Sequence, residues 1–146
     1  MATVCLAMAF PVVSSAWELT LVDAIADPAQ VRESMAAMTP DQRTAHAWIT
    51  ATLDVAYPLA YGALFAGSAC AFFPRVGRYL AMLLIVVIPV DLLEGIVQLL
   101  ALVDSVDLLE AKALLTPLKF GLAFLGLAIT LLGWVSWLTG RLRSRS

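Results

Sequence analysis

Residues 79–103 read YLAMLLIVVIPVDLLEGIVQLLALV, a run of 25 positions in which Asp91 and Glu94 are the only charges. About 20 such residues carry a helix across roughly 30 Å of hydrocarbon. The stretch is therefore predicted to be a transmembrane helix. Its two acids set the functional question, because a carboxylate in hydrocarbon needs a partner, a water-filled cavity or a bound ligand.

The flanks extend the same reading. On the N-terminal side, the connection Pro74-Arg75-Val76-Gly77-Arg78 joins a span predicted over residues 45–73, in which Asp54 is the sole charge. On the other side, an acidic connection over residues 104–112 leads to a span over 113–139 containing one charge, Lys119, followed by Arg141, Arg143 and Arg145. A further apolar run covers residues 3–22, interrupted only by Glu18. Ser14-Ser15-Ala16 has the small residues of a signal-peptide cleavage site, but no Lys or Arg precedes Arg32, so a retained helix is expected. Between the first two spans, Asp27 and Pro28 read as an N-cap and first turn, and Val31, Met35 and Met38 share one apolar face. They predict a short surface helix across the mouth of the bundle.

Composition agrees. Of 146 residues, 62% are apolar and 14% charged, with a mean hydropathy of +0.91, against about 45–50% apolar in soluble domains. The expectation is one all-α membrane domain over residues 1–146, a four-transmembrane-helix bundle. A net charge of −2 and a pI near 5.2 leave no basic face for nucleic acid. There is no phosphate-binding loop, zinc-ligand spacing or complete catalytic motif, so neither cofactor nor metal is expected, and His46 reads as an interfacial hydrogen-bonder. Cys5 and Cys70 read as small buried filler in a reducing compartment. Trp17, Trp48, Trp134 and Trp137 read as interfacial anchors, and the rows Gly62-Ala66-Cys70 and Ala63-Gly67-Ala71 as surfaces for close helix approach.

An even number of spans places both termini beside Arg75, Arg78, Arg141, Arg143 and Arg145. Arg32, Arg43 and Lys112 lie on the other side among acids. The positive-inside rule then puts both termini in the cytoplasm, with the protein in a cytoplasmic (inner) membrane. Counted at about 1.5 Å per residue from the outer ends, Asp54 lies roughly 10–15 Å in, Asp91 and Glu94 roughly 14–18 Å, and Lys119 roughly 9 Å. Three helices thus bring charge to one depth. His46, Thr50, Asp54, Tyr57 and Tyr61 form one stripe, answered by Asp91, Glu94 and Gln98 and by Thr116 and Lys119. Pro58, Pro89 and Pro117 lie close to the charges and predict bent helices around a pocket.

Three carboxylates and one amine sum to −2, which requires a proton, a cation, a cationic ligand or water. A packing lock built on Lys119, a polar ligand site and a proton or ion path all fit that count. Two functions follow. One is an accessory or assembly protein whose apolar faces meet a larger membrane complex, with the charges as an internal lock. The other is a binding protein or isomerase-like enzyme for an amphipathic or cationic molecule, with Asp54, Asp91 and Glu94 as counter-charges or proton donors, Tyr57 and Tyr61 as orienting hydroxyls, and Gln98 and Lys119 beside them. The accessory reading is placed first, because no catalytic motif is complete.

The segments Leu53-Asp54-Val55-Ala56-Tyr57-Pro58-Leu59-Ala60-Tyr61-Gly62, Pro89-Val90-Asp91-Leu92-Leu93-Glu94-Gly95 and Leu115-Thr116-Pro117-Leu118-Lys119-Phe120 resemble a group of small bacterial four-helix membrane proteins. Those carry D-x-x-[YF]-P-x-x-Y and P-x-x-D-x-x-E-N signatures and no assigned activity. The resemblance covers about residues 41–135, with Gly95 where the signature has Asn. More distantly, the outline is similar to the sterol-isomerase and sigma-2-receptor superfamily, which implies acids that stabilise a cationic ligand or intermediate.

The topology is open to a direct test. With Cys5 and Cys70 replaced by Ala, a thiol introduced as Ser105→Cys should react with an impermeant maleimide from outside. Ser146→Cys should react only after permeabilisation, and the reverse pattern would overturn the orientation.

Overall fold

The computed structural model describes residues 1–18 and 21–143, the side chains of residues 142 and 143 apart. Six helices follow in order: α1 (Ala2–Ala16), α2 (Pro28–Ala37), α3 (Pro40–Phe72), α4 (Gly77–Leu84), α5 (Val87–Leu102) and α6 (Leu109–Arg143). No strand occurs among the described residues. Three helical segments are long and apolar enough to cross a membrane: α3, α4 with α5 taken together, and α6.

The predicted first span is shorter than expected. At 15 residues, α1 reaches about 22 Å, less than the roughly 30 Å of a bilayer core. Glu18 beyond it adopts a left-handed backbone, φ 51°, incompatible with continuing the helix. Residues 19 and 20 of the predicted span lie outside the described residues. Helix α1 packs on α3 and buries none of its own residues. The Phe10 ring meets Tyr57 edge-on at 5.6 Å, and the Gln42 amide donates to the carbonyls of Trp17 and Glu18, both at 3.4 Å. These contacts run α1 antiparallel to α3.

Local chemistry sets the other boundaries. Asp27 caps α2 by accepting from the Ala29 N–H at 2.9 Å, with Pro28 in the first turn. Thr39 and Gln42 form a reciprocal capping box that starts α3 at Pro40, five residues before the predicted span. The span over 79–103 is broken at Ile85 and Val86. Pro89 cannot donate to the Ile85 carbonyl, which instead accepts from the Ile88 N–H at 3.1 Å. Pro58 and Pro117 cause no such break, since α3 and α6 run through them as continuous helices.

Helices α3 and α6 run parallel and pack directly on each other, and α5 runs antiparallel against both. At one end α2 closes the bundle, its Val31 and Met35 buried with Val22, Leu102 and Leu109. Arg32 reaches Asp107 at 2.8 Å and Glu110 at 3.1 Å, and Arg43 grips Asp104 through two bonds of 2.7 and 2.9 Å. The hydrogen bond from Arg32, with that from the Leu109 N–H, holds the Asp107 carboxyl below its usual range. This clasp is therefore complete above the ordinary carboxylate pKa and loosens only as pH falls through the depressed value. Both partners are exposed, so it adds little stability. The opposite end carries Arg75, Arg78 and Arg141, the last lying over the Trp137 ring at 4.2 Å; Arg145 lies outside the described residues.

Close approach is concentrated at particular glycines. A Cβ on Gly126 or Gly133 would enter the rings of Phe65 and Phe72, so two phenylalanines one heptad apart on α3 dock onto two glycines one heptad apart on α6. Gly62 receives Ile88 from the break in α4 and α5, as its small-residue row implied. The second row does not serve this purpose: Ala63, Gly67 and Ala71 face outward, and nothing lies near Gly67. Both cysteines are exposed rather than buried filler, although the Cys70 thiol reaches the Gly77 carbonyl at 3.9 Å.

Gly126→Ala should destabilise the protein in detergent by about 1–3 kcal/mol through overpacking on Phe65. Gly121→Ala, with nothing within 4 Å of its Cβ, should be neutral or stabilise by up to about 1 kcal/mol. Equal melting temperatures for the two variants would contradict this assignment of the α3–α6 contact.

Candidate functional site

On α6 the positions Lys112, Thr116, Lys119 and Ala123 recur at helical spacing and share one face. Sequence places Lys112 in the outer acidic connection; the structure places it on α6. Helix α6 begins at Leu109, and the Lys112 side chain is fully buried against α5. Hydropathy alone placed the start of the span at Ala113, whereas the polar face of α6 continues one turn earlier.

The carboxylate of Glu94 is the meeting point. Its Oε1 accepts from the Lys112 ammonium and, at 2.6 Å, from the Thr116 hydroxyl, while its Oε2 pairs with Lys119. Lys119 Nζ also lies 3.2 Å from Asp91 Oδ1. The second oxygen of Asp91 accepts from the Tyr61 hydroxyl at 2.5 Å. Two acids and two ammonium groups thus form a balanced quartet inside the bundle. Desolvated charges survive only with such mutual pairing and added hydrogen bonds.

A second arm runs toward the α2 end. Gln98, 1% exposed, donates its amide to Asp23 Oδ1 at 2.5 Å and to the Thr50 hydroxyl at 3.0 Å. His46 is fully buried in the protein and hydrogen-bonded there. Its Nε2 accepts from the Val22 N–H at 3.3 Å, which places the ring proton on Nδ1, directed at Thr50 Oγ1 at 3.4 Å. The Lys112 ammonium reaches the Asp23 carbonyl at 3.5 Å. The segment around Val22 and Asp23 therefore folds back onto the bundle. Nothing in the local sequence signals this, because the partners lie far along the chain.

Among the predicted site residues, Tyr61, Asp91, Glu94 and Lys119 come together in the quartet and its tyrosine, and Gln98 joins the second arm. Asp54 and Tyr57 occupy a different position. They border a cavity of about 450 Å³ between α1, α3 and α6, with Asp23, Asp91, Lys119 and Tyr61 also on its wall. Farther from the α2 end the wall is apolar: Leu64, Phe65, Ala123, Phe124 and Leu127. Helix α1 contributes Thr3 and Phe10. Among the described residues, no basic side chain is ion-paired with Asp54 or with the Asp23 carboxylate, since both buried lysines are engaged by the quartet. No group of three or more His, Cys, Asp or Glu able to hold a metal ion occurs among the described residues. The arrangement places Asp23, Asp54, Asp91 and the Lys119 ammonium toward one end of the cavity wall and an apolar surface toward the other.

Fold and site together define a small helical protein with three membrane-length helices, an internal ion quartet and an acidic cavity at its side. Comparison with protein-family models, curated proteins and solved structures finds no match. The signature resemblance is itself imperfect in the second segment, where one residue rather than two separates Pro89 from Asp91.

The quartet predicts strong coupling. Lys119→Met should destabilise the protein by about 3–5 kcal/mol, because Asp91 and Glu94 then face only one ammonium. Adding Asp91→Asn restores the balance and should recover much of that loss. Thermal unfolding of the two single variants and the double variant measures the coupling; simple additivity would rule the quartet out as a unit.

Proposed function

We propose that this is a membrane-embedded binding protein for an amphipathic organic cation, held with its charge at Asp54 and Asp23 and its apolar part against the aromatic wall of α6. One observation carries the reading. Lys112 and Lys119 are paired within the quartet, and the two acids with no ammonium at ion-pair distance, Asp54 and Asp23, border the same cavity. In a low-dielectric surround, uncompensated carboxylates select a positive ligand. Tyr57 contributes a hydroxyl to the charged end, and Phe10, Phe120 and Phe124 offer ring faces for an organic cation.

In this reading the protein sits in a cytoplasmic membrane with the Arg-rich end and the C-terminus inside, and α1 is a partial fourth span flanking the cavity. The quartet acts as a lock that keeps α5 and α6 in register around the site. The quartet alone would also suit an accessory subunit of a larger complex, since it needs no ligand to be neutral. That alternative gives no role to the acidic cavity.

Benzyltrimethylammonium and its neutral isostere neopentylbenzene separate the two. In phosphatidylcholine nanodiscs, calorimetric titration should show saturable binding of the cation in preference to the isostere. Asp54→Asn should weaken it at least about tenfold, roughly 1.4 kcal/mol, while Asp41→Asn on the exposed first turn of α3 should leave it unchanged. Equal binding of cation and isostere, or no binding of either, would reject the proposal.

A further inference from the structure

A carboxyl group that selects a cation in hydrocarbon must also be neutralised when no cation is present. The quartet cannot do this for Asp54, because Lys119 is held by Asp91 and Glu94, and Lys112 by Glu94. The other groups around Asp54 add negative charge or none. The folded-back segment brings Asp23, and α3 itself brings Tyr57 and, two turns away, His46 as a neutral ring. Helix α5 presents Asp91, already bonded by Tyr61, and α1 presents only Thr3 and Phe10. None of these pairs with Asp54, so what remains to neutralise it is a proton or a cation taken up from the cavity it borders.

We propose that Asp54 is a proton–cation exchange site: with the cavity empty its carboxyl carries a proton, and an entering organic cation displaces that proton to water. The inference rests on the binding reading above and deepens it. The exchange balances, since one O–H bond at Asp54 breaks, one proton leaves, and one monovalent cation takes its place against the resulting carboxylate. Asp23 is not assigned this role, because its Oδ1 already accepts from the Gln98 amide at 2.5 Å. Such a site makes occupancy respond to pH. Protons compete with the cation, so affinity falls as pH drops, about tenfold per unit on the acid side of the Asp54 titration.

The experiment uses the full chain in phosphatidylcholine nanodiscs with benzyltrimethylammonium as the probe. Titrations in buffers of differing ionisation enthalpy should give about one proton released per cation bound. Infrared difference spectra should show loss of a protonated-carboxyl band on binding, and Asp54→Asn should abolish that band. The band of the empty protein is measured independently of any probe. A protonated-carboxyl band at neutral pH in the wild type that is missing from Asp54→Asn supports the proposal even where the probe binds weakly. Cation binding with no proton release leaves the binding reading standing and overturns the exchange. Proton release that persists in Asp54→Asn assigns it to another acid and also overturns the proposal, and absence of the band in the empty wild type does the same.

Discussion

One carboxylate, that of Glu94, organises the interior. At 2% exposure it lies among apolar helices where a lone ion would be too costly to keep. It accepts from Lys112, Thr116 and Lys119, and Lys119 passes the pairing on to Asp91 and through it to Tyr61. Helices α3, α5 and α6 are thereby tied at one depth. This bond set is directional where exposed leucines are not, so it fixes rotation and axial register among helices that carry many large apolar side chains on their outer faces. Removing one member leaves an uncompensated ion, which makes the group cooperative.

The consequence for function is a division of labour among acids that look equivalent in the sequence. Asp91 and Glu94 are consumed by the lysines. Asp54, one and two turns from Tyr57 and Tyr61 on α3, borders the cavity with no lysine at ion-pair distance, because Lys119 on the same wall is held by Asp91 and Glu94. Charge balance inside the bundle and charge imbalance at the cavity wall are two sides of one count. Helix α1, which buries none of its residues, forms one side of that wall through Thr3 and Phe10.

Much of this was legible in the sequence. The runs around Asp54, Asp91 and Lys119 give the three membrane-length helices, and counting depth along them brings Asp91, Glu94 and Lys119 together. Lys112 was missed because hydropathy ends a span at its last charge, although its spacing to Thr116 and Lys119 placed it on the same helical face. The short reach of α1 was not legible, since its end depends on the backbone of Glu18 rather than on hydrophobicity. The return of Val22 and Asp23 to His46 and Gln98, and the seating of Phe65 and Phe72 on Gly126 and Gly133, are contacts between distant segments. Periodicity within one helix does not encode them.

The most direct measurement is an experimental density map of the protein in lipid, at a resolution that places the two lysine ammonium groups. Both Lys112 and Lys119 should lie at ion-pair distance from Glu94, with Asp54 facing the cavity and no ammonium beside it. A map with Lys112 turned outward to Asp107 or Glu110, or with Lys119 moved onto Asp54, would contradict the balanced quartet and with it the acidic cavity.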